Sequence, residues 1–524
     1  MNDKIRARRY LLPGILTSIL ALGAVSSLVA VTPVAAIDYP PPPPVVYPTP
    51  PPVVPTPAPT KAPVDLPVSV TIGTATTATI GSVLTSPNGL TLYTLSSDPA
   101  NGSICTAGCL TAWPPLVVAP GGSVTAPSGV PGTFGTFVRT DTGATQAARD
   151  GHALYTFQGD GAPGQTNGEG IVALGGTWHA APATTAYLTS LTTVGLPGDS
   201  TVPAKGDINP YGVAVVPRSV GRLVKGDILV SDFNAKSNLQ GTGTTIVQLA
   251  PSGALQLFAT ITPAAVAGRC PGGVGLSTAL VALRSGWVVV GSLPTKDGTA
   301  ATAGAGCLIV LDPNGRVVET FHDAMIDGPW DMTALDHGST ADLFVTNVLH
   351  GTVTAKGAVV HGGTVVRLIL KTSGVKMPAK LSETAIGTGF GERSDAAALV
   401  IGPTGLGLGA DGTLYVADTV DSRITAIAAA ATRTSSAGTG TVVTRGGGLN
   451  APLGLAIAPN GDILTVNGGN GDIVETTPGG TQVATKTLDS TGGGGGLLFG
   501  LAIRPDGTAV YFVDDGTNTL ALLH

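Results

Sequence analysis

Short apolar runs alternate with short segments rich in Gly, Pro, Asn and Asp from residue 68 to the end of the chain. Representative runs are "ILVSDF" (228–233), "LYVAD" (414–418) and "ILTVN" (463–467). Apolar, β-branched runs of this length between turn residues predict short strands joined by tight turns. Charged residues make up only 11% of the chain, too few to cover the polar faces of long amphipathic helices. The pattern therefore predicts an all-β protein.

A longer pattern repeats six times between residues 186 and 524, and each copy joins two apolar runs through a turn. The copies begin with "NPYGVAVVP", "CPGGVGLSTAL", "GPWDMTALDH", "GPTGLGLGADG", "APLGLAIAPNG" and "LFGLAIRPDG". A unit of three or four strands cannot bury both of its faces alone, whereas a ring of such units can. We predict a six-bladed β-propeller over residues 186–524, in which "AYLTSLTTVG" (186–195) forms the outer strand of the last blade.

Three segments precede the repeats. Residues 1–36 carry Lys4, Arg6, Arg8 and Arg9 before an apolar stretch that ends in small residues, as in a secretory signal peptide. The stretch is also about long enough for an uncleaved membrane anchor. Residues 37–67 form a proline-rich linker, expected to be extended polyproline II that acts as a spacer rather than as a ligand for a proline-binding module. Residues 68–185 predict a small β-rich domain.

Charge and cysteine content both favour an exported protein. Without residues 1–36 the chain has 23 Lys and Arg (27 − 4) and 32 Asp and Glu (33 − 1), a net charge of −9. A basic surface for phosphate backbones is therefore not expected, which argues against nucleic-acid binding. Four cysteines suit an oxidising compartment, and we predict the disulfides Cys105–Cys109 and Cys270–Cys307. The expected location is periplasmic, cell-surface or extracellular, with membrane contact only through the N-terminal segment if it is uncleaved.

The small domain contains one phrase twice, "TLYTLSSD" (91–98) and "ALYTFQGD" (153–160). Together with "SICTAGCLTAWPPL" and "GGTWHA", these phrases resemble a secreted repeat family of predicted lipoproteins with a Tyr-x-aromatic-x-x-Asp motif. The resemblance covers about a fifth of the chain and implies a fold module rather than a reaction. The first copy departs from the motif at Leu95, and the chain has no cysteine near residue 36 that could carry a lipid.

The motif residues allow two interpretations. In the first, the tyrosines pack in the core and the aspartates cap turns, which the phrases "SSDP" and "QGDG" favour. In the second, the two tyrosines and two aspartates face a shared ligand or ion, and Trp113 with Trp178 and His179 forms an exposed aromatic patch suited to a sugar or a partner protein. The ligand-binding candidates in this second interpretation are Tyr93, Asp98, Trp113, Tyr155, Asp160, Trp178 and His179.

The fourth and fifth copies of the long repeat, "PTGLGLGADGTLYVADTVDSRI" (403–424) and "PLGLAIAPNGDILTVNGGNGDIV" (452–474), resemble NHL repeats. This resemblance implies a propeller that serves as an interaction platform. Polar residues recur where the second strand of a copy ends. They are Asp232, Asp418, Asn467 and Asp514.

These four residues are expected to cap turns between strands. In six-bladed lactonases of the gluconolactonase type, a similar Asp and an Asn in Pro-Asn-Gly hold a divalent ion in the central channel. Here the matching Asn positions are Tyr211, Thr404 and Leu453. No metal site or other cofactor is therefore predicted, and calcium or magnesium enters only in an alternative in which the channel is catalytic.

No catalytic constellation emerges from the sequence. The leading hypothesis is therefore an exported or envelope-associated binding or scaffold protein whose partner is an envelope protein or a polysaccharide. The alternative is a propeller hydrolase or lyase with a divalent ion in its channel.

Overall fold

The computed structural model describes residues 66–77, 80–128, 130, 132–396, 398–491 and 497–524. The predicted signal peptide (1–36) and nearly all of the predicted linker (37–67) lie outside these residues. Within them, no helix is long and apolar enough to cross a membrane.

The small domain consists of short strands around one helical turn. Its strands are β1 (Ser69–Thr71), β2 (Gly73–Thr77), β3 (Gly81–Thr85), β4 (Tyr93–Leu95), β5 (Val117–Val118), β6 (Ser123–Thr125), β7 (Phe134–Val138), β8 (Thr145–Arg149), β9 (His152–Ala153), β10 (Val172–Ala173) and β11 (Gly176–Ala180), and its helix is α1 (Cys109–Ala112). They form the sheets β1-β6, β2-β3, β10-β11-β4 and β5-β8-β7, with β9 paired to β8.

The two copies of the motif are joined through the backbone. Tyr93 and Tyr155 form an antiparallel bridge, in which each amide donates to the carbonyl of the other residue, at 2.8 and 3.0 Å. Because this bridge lies inside a buried apolar cluster, the two motif copies build one shared core rather than two separate ones.

The chain then passes through α2 (Tyr187–Ser190) and β12 (Val194–Ser200) into the propeller strands. Blade 1 has β13 (Ile208–Val215), β14 (Ile228–Asn234), β15 (Thr245–Leu249) and β16 (Leu255–Thr260). Blade 2 has β17 (Leu276–Ala282), β18 (Val288–Ser292), β19 (Cys307–Leu311) and β20 (Val317–Phe321). Blade 3 has β21 (Pro329–Asp336), β22 (Thr340–Asn347), β23 (Val360–Lys371), β24 (Ala379–Asp395) and β25 (Leu399–Ile401). Blade 4 has β26 (Pro403–Leu408), β27 (Leu414–Asp418), β28 (Arg423–Ile427) and β29 (Thr441–Arg445); blade 5 has β30 (Pro452–Ile457), β31 (Ile463–Asn467), β32 (Asp472–Thr476) and β33 (Gln482–Thr487); blade 6 has β34 (Leu498–Ile503), β35 (Val510–Asp514) and β36 (Thr519–Leu523). Two more helical turns, α3 (Pro263–Val266) and α4 (Thr352–Ala355), and the 3₁₀ turn Ala300–Thr302 lie in the connections.

The fold is the predicted six-bladed β-propeller. The innermost strands contact one another in the order β13, β17, β21, β26, β30 and β34, and β34 contacts β13 to complete the ring. Apolar clusters fill the spaces between neighbouring blades. Burial of these inter-blade faces is what a single blade cannot achieve alone.

The ring is closed by a strand from before the first blade, as predicted, but the strand lies later than residues 186–195. It is β12, which pairs with β36 from Val194↔Leu523 to Ser200↔Thr519. Residues 187–190 are helical instead, because the carboxylate of Glu475 accepts the Tyr187 and Leu188 amides at 2.6 and 2.7 Å. A carboxylate at the first N–H groups of a helix satisfies donors that have no partner within the helix.

Both predicted disulfides are confirmed. Cys105 and Cys109 are bonded within the small domain, with Cα atoms 5.3 Å apart. Cys270 and Cys307 are bonded across blade 2, with Cα atoms 5.5 Å apart, and link the segment before β17 to β19.

Candidate functional site

The tyrosines and aspartates of the two motif copies are paired across the copies. The Tyr93 hydroxyl donates to Asp160 Oδ2 at 2.6 Å, and the Tyr155 hydroxyl donates to Asp98 Oδ2 at 2.7 Å. The second oxygen of each carboxylate accepts a backbone amide, from Ile104 for Asp98 and from Asn167 for Asp160. Each aspartate therefore caps its own turn and also holds the tyrosine of the other copy.

Burial dominates the electrostatics of this group. It raises the pKa of Tyr155 to about 12 and raises the pKa of Tyr93 further, with the Asp160 carboxylate adding to the effect at Tyr93. Burial also raises the pKa of Asp98. The tyrosines consequently remain neutral hydrogen-bond donors at physiological pH, as the structural interpretation of the motif requires.

The two tryptophans belong to the same core. Trp113 and Trp178 stack with ring centroids 3.8 Å apart, and Tyr93 and Tyr155 each meet one of them edge to face. Trp178 is fully buried and Trp113 is 4% exposed. The alternative of an exposed aromatic patch is therefore wrong, because these rings pack against one another inside the domain.

His179 is the ligand-binding candidate that faces outward. It lies on β11, where its Nδ1 is 2.7 Å from Glu169 Oε1, and the Ala180 amide donates to Glu169 Oε2 at 2.6 Å. Glu169 therefore fixes the imidazole in one orientation. His179 and Glu169 both line a cleft of about 860 Å³ between the small domain and blades 4 and 5.

The four propeller candidates occupy equivalent positions in their blades. Asp418, Asn467 and Asp514 end the second strand of their blades, whereas Asp232 lies two residues before the end of β14. Each of the four pairs with a residue at or near the start of the innermost strand. Blades 2 and 3 have Ser292 and Asn347 at the same place, which the diverged sequences of these copies concealed.

All four candidates bond locally. Asp418 accepts from Arg423 at 2.7 Å, and Asp514 Oδ1 accepts the Gly516 amide at 2.9 Å. Asn467 bonds the backbone of the loop before β30, where it donates to the Gly448 carbonyl at 2.8 Å. Asp232 is fully buried beside the Thr245 hydroxyl at 2.9 Å, and burial raises its pKa well above the ordinary value. Such contacts cap turns and connect neighbouring strands.

Aromatic side chains fill the axis of the propeller at the same end. Tyr211 stacks between Phe233 and Phe499, with centroids 4.4 and 3.8 Å away, and the Trp330 indole donates to the Val400 carbonyl at 2.9 Å. Together with β25, they form one buried apolar cluster. We name Tyr211, Trp330, Phe499 and β25 the axial plug.

The residues at this end do not fit the divalent ion of the alternative interpretation. The positions that would present ligands carry Tyr211, Thr404 and Leu453. Asp418 and Asp514 each use one carboxylate oxygen in a local hydrogen bond. Among the described residues, no group of three or more His, Cys, Asp or Glu side chains is arranged to hold a metal ion.

The central channel below the axial plug has a volume of about 410 Å³. Residues of all six innermost strands line it, and Asp331 is the only ionisable one among the described lining residues. Burial raises the pKa of Asp331 to about 7. Asp331 was not among the predicted site residues. The third copy reads Pro-Trp-Asp, whereas most other copies have Gly at the position of this Asp.

Part of the chain matches a known family. Residues 74–117 and 136–182 match a family described as a secreted repeat of unknown function, which agrees with the resemblance of the small domain. An exported protein with disulfides is consistent with that description. No curated protein matches the chain in sequence.

Solved structures similar to this chain include propeller proteins that are not specifically NHL proteins. A gluconolactonase from Xanthomonas campestris is 13% identical over 63% of this chain and 97% of its own, with a TM-score of 0.37. A virginiamycin B lyase from Staphylococcus aureus is 14% identical over 62% and 84%, with a TM-score of 0.37. A calcium-binding regucalcin from Agrobacterium tumefaciens is 13% identical over 63% and 92%, with a TM-score of 0.40. Likeness at this level carries no argument about function.

Proposed function

We propose that the protein is an exported, envelope-associated binding protein that holds a polysaccharide in the cleft between its small domain and its propeller. The observation that carries this proposal is the cleft itself, which has a volume of about 860 Å³ and walls contributed by both domains. Concave sites at domain boundaries, with a few convergent polar groups, are common places for ligand binding.

The cleft presents groups that suit a polyhydroxylated ligand. Glu169 and His179 lie on one wall, and Tyr415 and Arg445 lie on the other. Among the described residues, five threonines also line the cleft: Thr166, Thr177, Thr413, Thr441 and Thr444. Hydroxyls both donate and accept, carboxylates accept and guanidinium groups donate, so the set matches the mixed donors and acceptors of sugar hydroxyls.

The junction between the domains supports a preformed site. Glu475 holds the start of α2, and the Asn460 side-chain amide donates to the Thr185 carbonyl at 3.2 Å. At the edge of the cleft, Gly479 and Gly480 leave no room for a side chain: a Cβ on Gly479 would lie 2.7 Å from the Ile80 side chain. A site that is already ordered loses less entropy when it binds its ligand.

The NHL-like copies and the proline-rich linker support the same proposal. An NHL-like propeller offers a rigid interaction platform. An extended linker of about 3.1 Å per residue would hold that platform away from the membrane or wall. In this proposal, the proline-rich linker sets the distance of the protein from the membrane or wall, and the cleft supplies its binding site.

The experiment measures binding of soluble polysaccharide fractions, prepared from the envelope of the source organism, to residues 66–524 by microscale thermophoresis. His179→Ala removes the oriented imidazole and is expected to weaken binding roughly tenfold. His337→Ala is the matched control, because His337 lies on a surface of blade 3 away from the cleft.

Three outcomes contradict the proposal. No fraction binds, or His179→Ala and His337→Ala affect binding equally, or the captured partner is an envelope protein whose binding ignores both changes. Cleavage of the polysaccharide that requires added calcium or magnesium would instead support the alternative of a propeller hydrolase or lyase.

A further inference from the structure

Four of the six innermost strands carry glycine at one equivalent position around the axis. At Gly212, Gly405, Gly454 and Gly500, an added Cβ would lie 2.7, 2.3, 1.8 and 2.3 Å from a backbone atom of the next blade. Glycine is therefore required there so that successive innermost strands can approach closely.

Blades 2 and 3 lack this glycine, and only blade 3 has an ionisable residue in its place. Its innermost strand has Asp331 at the position, inside a register shift between Pro329 and Met332. A bulge of this kind re-aims a side chain. Asp331 Oδ2 accepts the Leu406 amide of blade 4 at 3.0 Å, so the carboxyl group spans the boundary between the two blades at the channel wall.

The surroundings isolate this carboxyl group. No other residue lining the channel on any of the six described innermost strands is ionisable, and no charged side chain contributes to the pKa of Asp331. Among the described lining residues, Thr278 and Thr333 are the other polar side chains, and the rest are aliphatic residues, Met332 and glycines. The innermost strand of each blade is also an edge strand, so its backbone groups on the channel side are not paired within the blade.

The channel is closed at one end only. The axial plug, which is buried, closes the end near Asp331. At the other end the lining residues Val215, Ala334, Ile457 and Ile503 are partly exposed, so that end opens to solvent. The channel is therefore a cavity that is open at one end and has the Asp331 carboxyl group near its closed end.

We propose that the central channel binds a small organic cation, a protonated primary amine, with its ammonium group against the Asp331 carboxylate. A volume of about 410 Å³ is far larger than one ion or water needs, so it suits an organic molecule. A single carboxylate is too few oxygen ligands for calcium or magnesium, but it is enough to pair with one ammonium group. A departure from a local sequence pattern, such as a buried Asp in place of the glycine, is expected at functional sites.

The test compares benzylamine, benzyl alcohol and benzoate, which share a ring and differ in charge, by isothermal titration calorimetry at pH 5 and pH 8.5. Benzylamine is expected to bind at pH 8.5 roughly tenfold or more tightly than benzyl alcohol, and benzoate is expected not to bind. The affinity of benzylamine should fall at pH 5, where Asp331 carries a proton.

Asp331→Asn keeps an oxygen for the Leu406 amide but removes the charge. It should abolish both the preference for benzylamine and the dependence on pH, while binding of benzyl alcohol stays within about twofold. Asp515→Asn is the matched control, because burial also raises the pKa of Asp515 to about 7, and Asp515 does not line the channel. Thermal unfolding of both variants verifies that they fold.

The proposal is overturned if the three probes bind equally, if none binds at pH 8.5, or if Asp331→Asn and Asp515→Asn behave alike. These outcomes are independent of polysaccharide binding, because Asp331 and the cleft residues lie in separate cavities.

Discussion

The Tyr93 hydroxyl donates a hydrogen bond of 2.6 Å to Asp160, a residue of the other motif copy. The reciprocal bond joins Tyr155 to Asp98 at 2.7 Å. Because each copy completes the hydrogen bonding of the other, neither strand-to-turn corner is satisfied alone. The duplicated motif is therefore one interlocked structural unit, which explains why the same residue types recur at the same spacing.

Removing one of these hydroxyls should destabilise the small domain. Tyr93→Phe leaves the buried Asp160 carboxylate without its side-chain donor, and the expected loss in the free energy of unfolding is about 1–3 kcal/mol. Urea unfolding measures the loss. A double-mutant cycle with Asp160→Asn should show coupling between the two sites, since they share one bond.

The matched control for this prediction is Tyr211→Phe. The Tyr211 side chain is also buried, but its hydroxyl has no hydrogen-bond partner among the described residues. Its removal should therefore be neutral or stabilising. Equal losses for Tyr93→Phe and Tyr211→Phe would show that the Tyr93–Asp160 bond contributes nothing specific.

Local patterns predicted much of this fold. The repeated turns and apolar runs predicted six blades, because each copy carries its own strands and its own unburied faces. Closure by a segment before the first blade was also predictable, although Val194–Ser200 rather than residues 186–195 forms the strand. The shift depends on Glu475, which is distant in the sequence and caps α2.

The sequence pattern could not predict which residues distant in the chain are hydrogen-bond partners. The motif gave the positions of Tyr93 and Asp98 but not that each bonds the other copy, because that choice depends on how the copies cross in space. Asp331 was missed for a related reason: it stands where four of the other blades need a glycine at the axis. An alignment of the six copies on their innermost strands would have drawn attention to it.

Asp418 is expected to be a structural residue rather than a metal ligand. Its fully buried carboxylate is bonded by the Arg423 guanidinium at 2.7 and 2.8 Å. Asp418→Asn should lower the free energy of unfolding by about 3 kcal/mol, because it leaves a guanidinium without its buried partner. Asp421→Asn, at a 41% exposed side chain, should cost less than about 1 kcal/mol.

The same variants test the metal alternative by melting temperature with added calcium or magnesium. If Asp418 only ties strands, neither ion should shift the wild-type melting temperature. A shift that disappears in Asp418→Asn and persists in Asp421→Asn would contradict the structural role.

The two disulfides should differ in their contribution to stability. Cys270 and Cys307 are 37 residues apart, whereas Cys105 and Cys109 are 4 apart. The chain-entropy estimate gives roughly 4 kcal/mol for the longer loop and roughly 2 kcal/mol for the shorter one. Replacing both cysteines of each pair by Ala and measuring urea unfolding should give losses in that order. The reverse order would indicate that native-state contacts, rather than loop length, decide the effect.

Stability should fall as pH rises, through a buried acid pair beneath the junction between the domains. Burial and the neighbouring Glu475 raise the pKa of Asp462 to about 8, against 3.8 for an ordinary aspartate. The folded state therefore holds a proton that the unfolded chain releases. The resulting stabilisation is complete below about pH 4 and is lost as pH rises through about 8. Above that pH the Asp462 carboxylate is charged beside Glu475, the residue that caps α2.

Urea unfolding of residues 66–524 between pH 5 and pH 9 measures this dependence. Asp462→Asn should reduce the slope but not remove it, because burial also raises the pKa of Glu392 to about 8. Asp506→Asn is the control: its arginine neighbour Arg504 holds the pKa of Asp506 at about 2, so this carboxylate is charged throughout the range and its removal should leave the slope unchanged. A slope that is the same in Asp462→Asn and in the wild type would contradict the assignment of the proton to the Asp462–Glu475 pair.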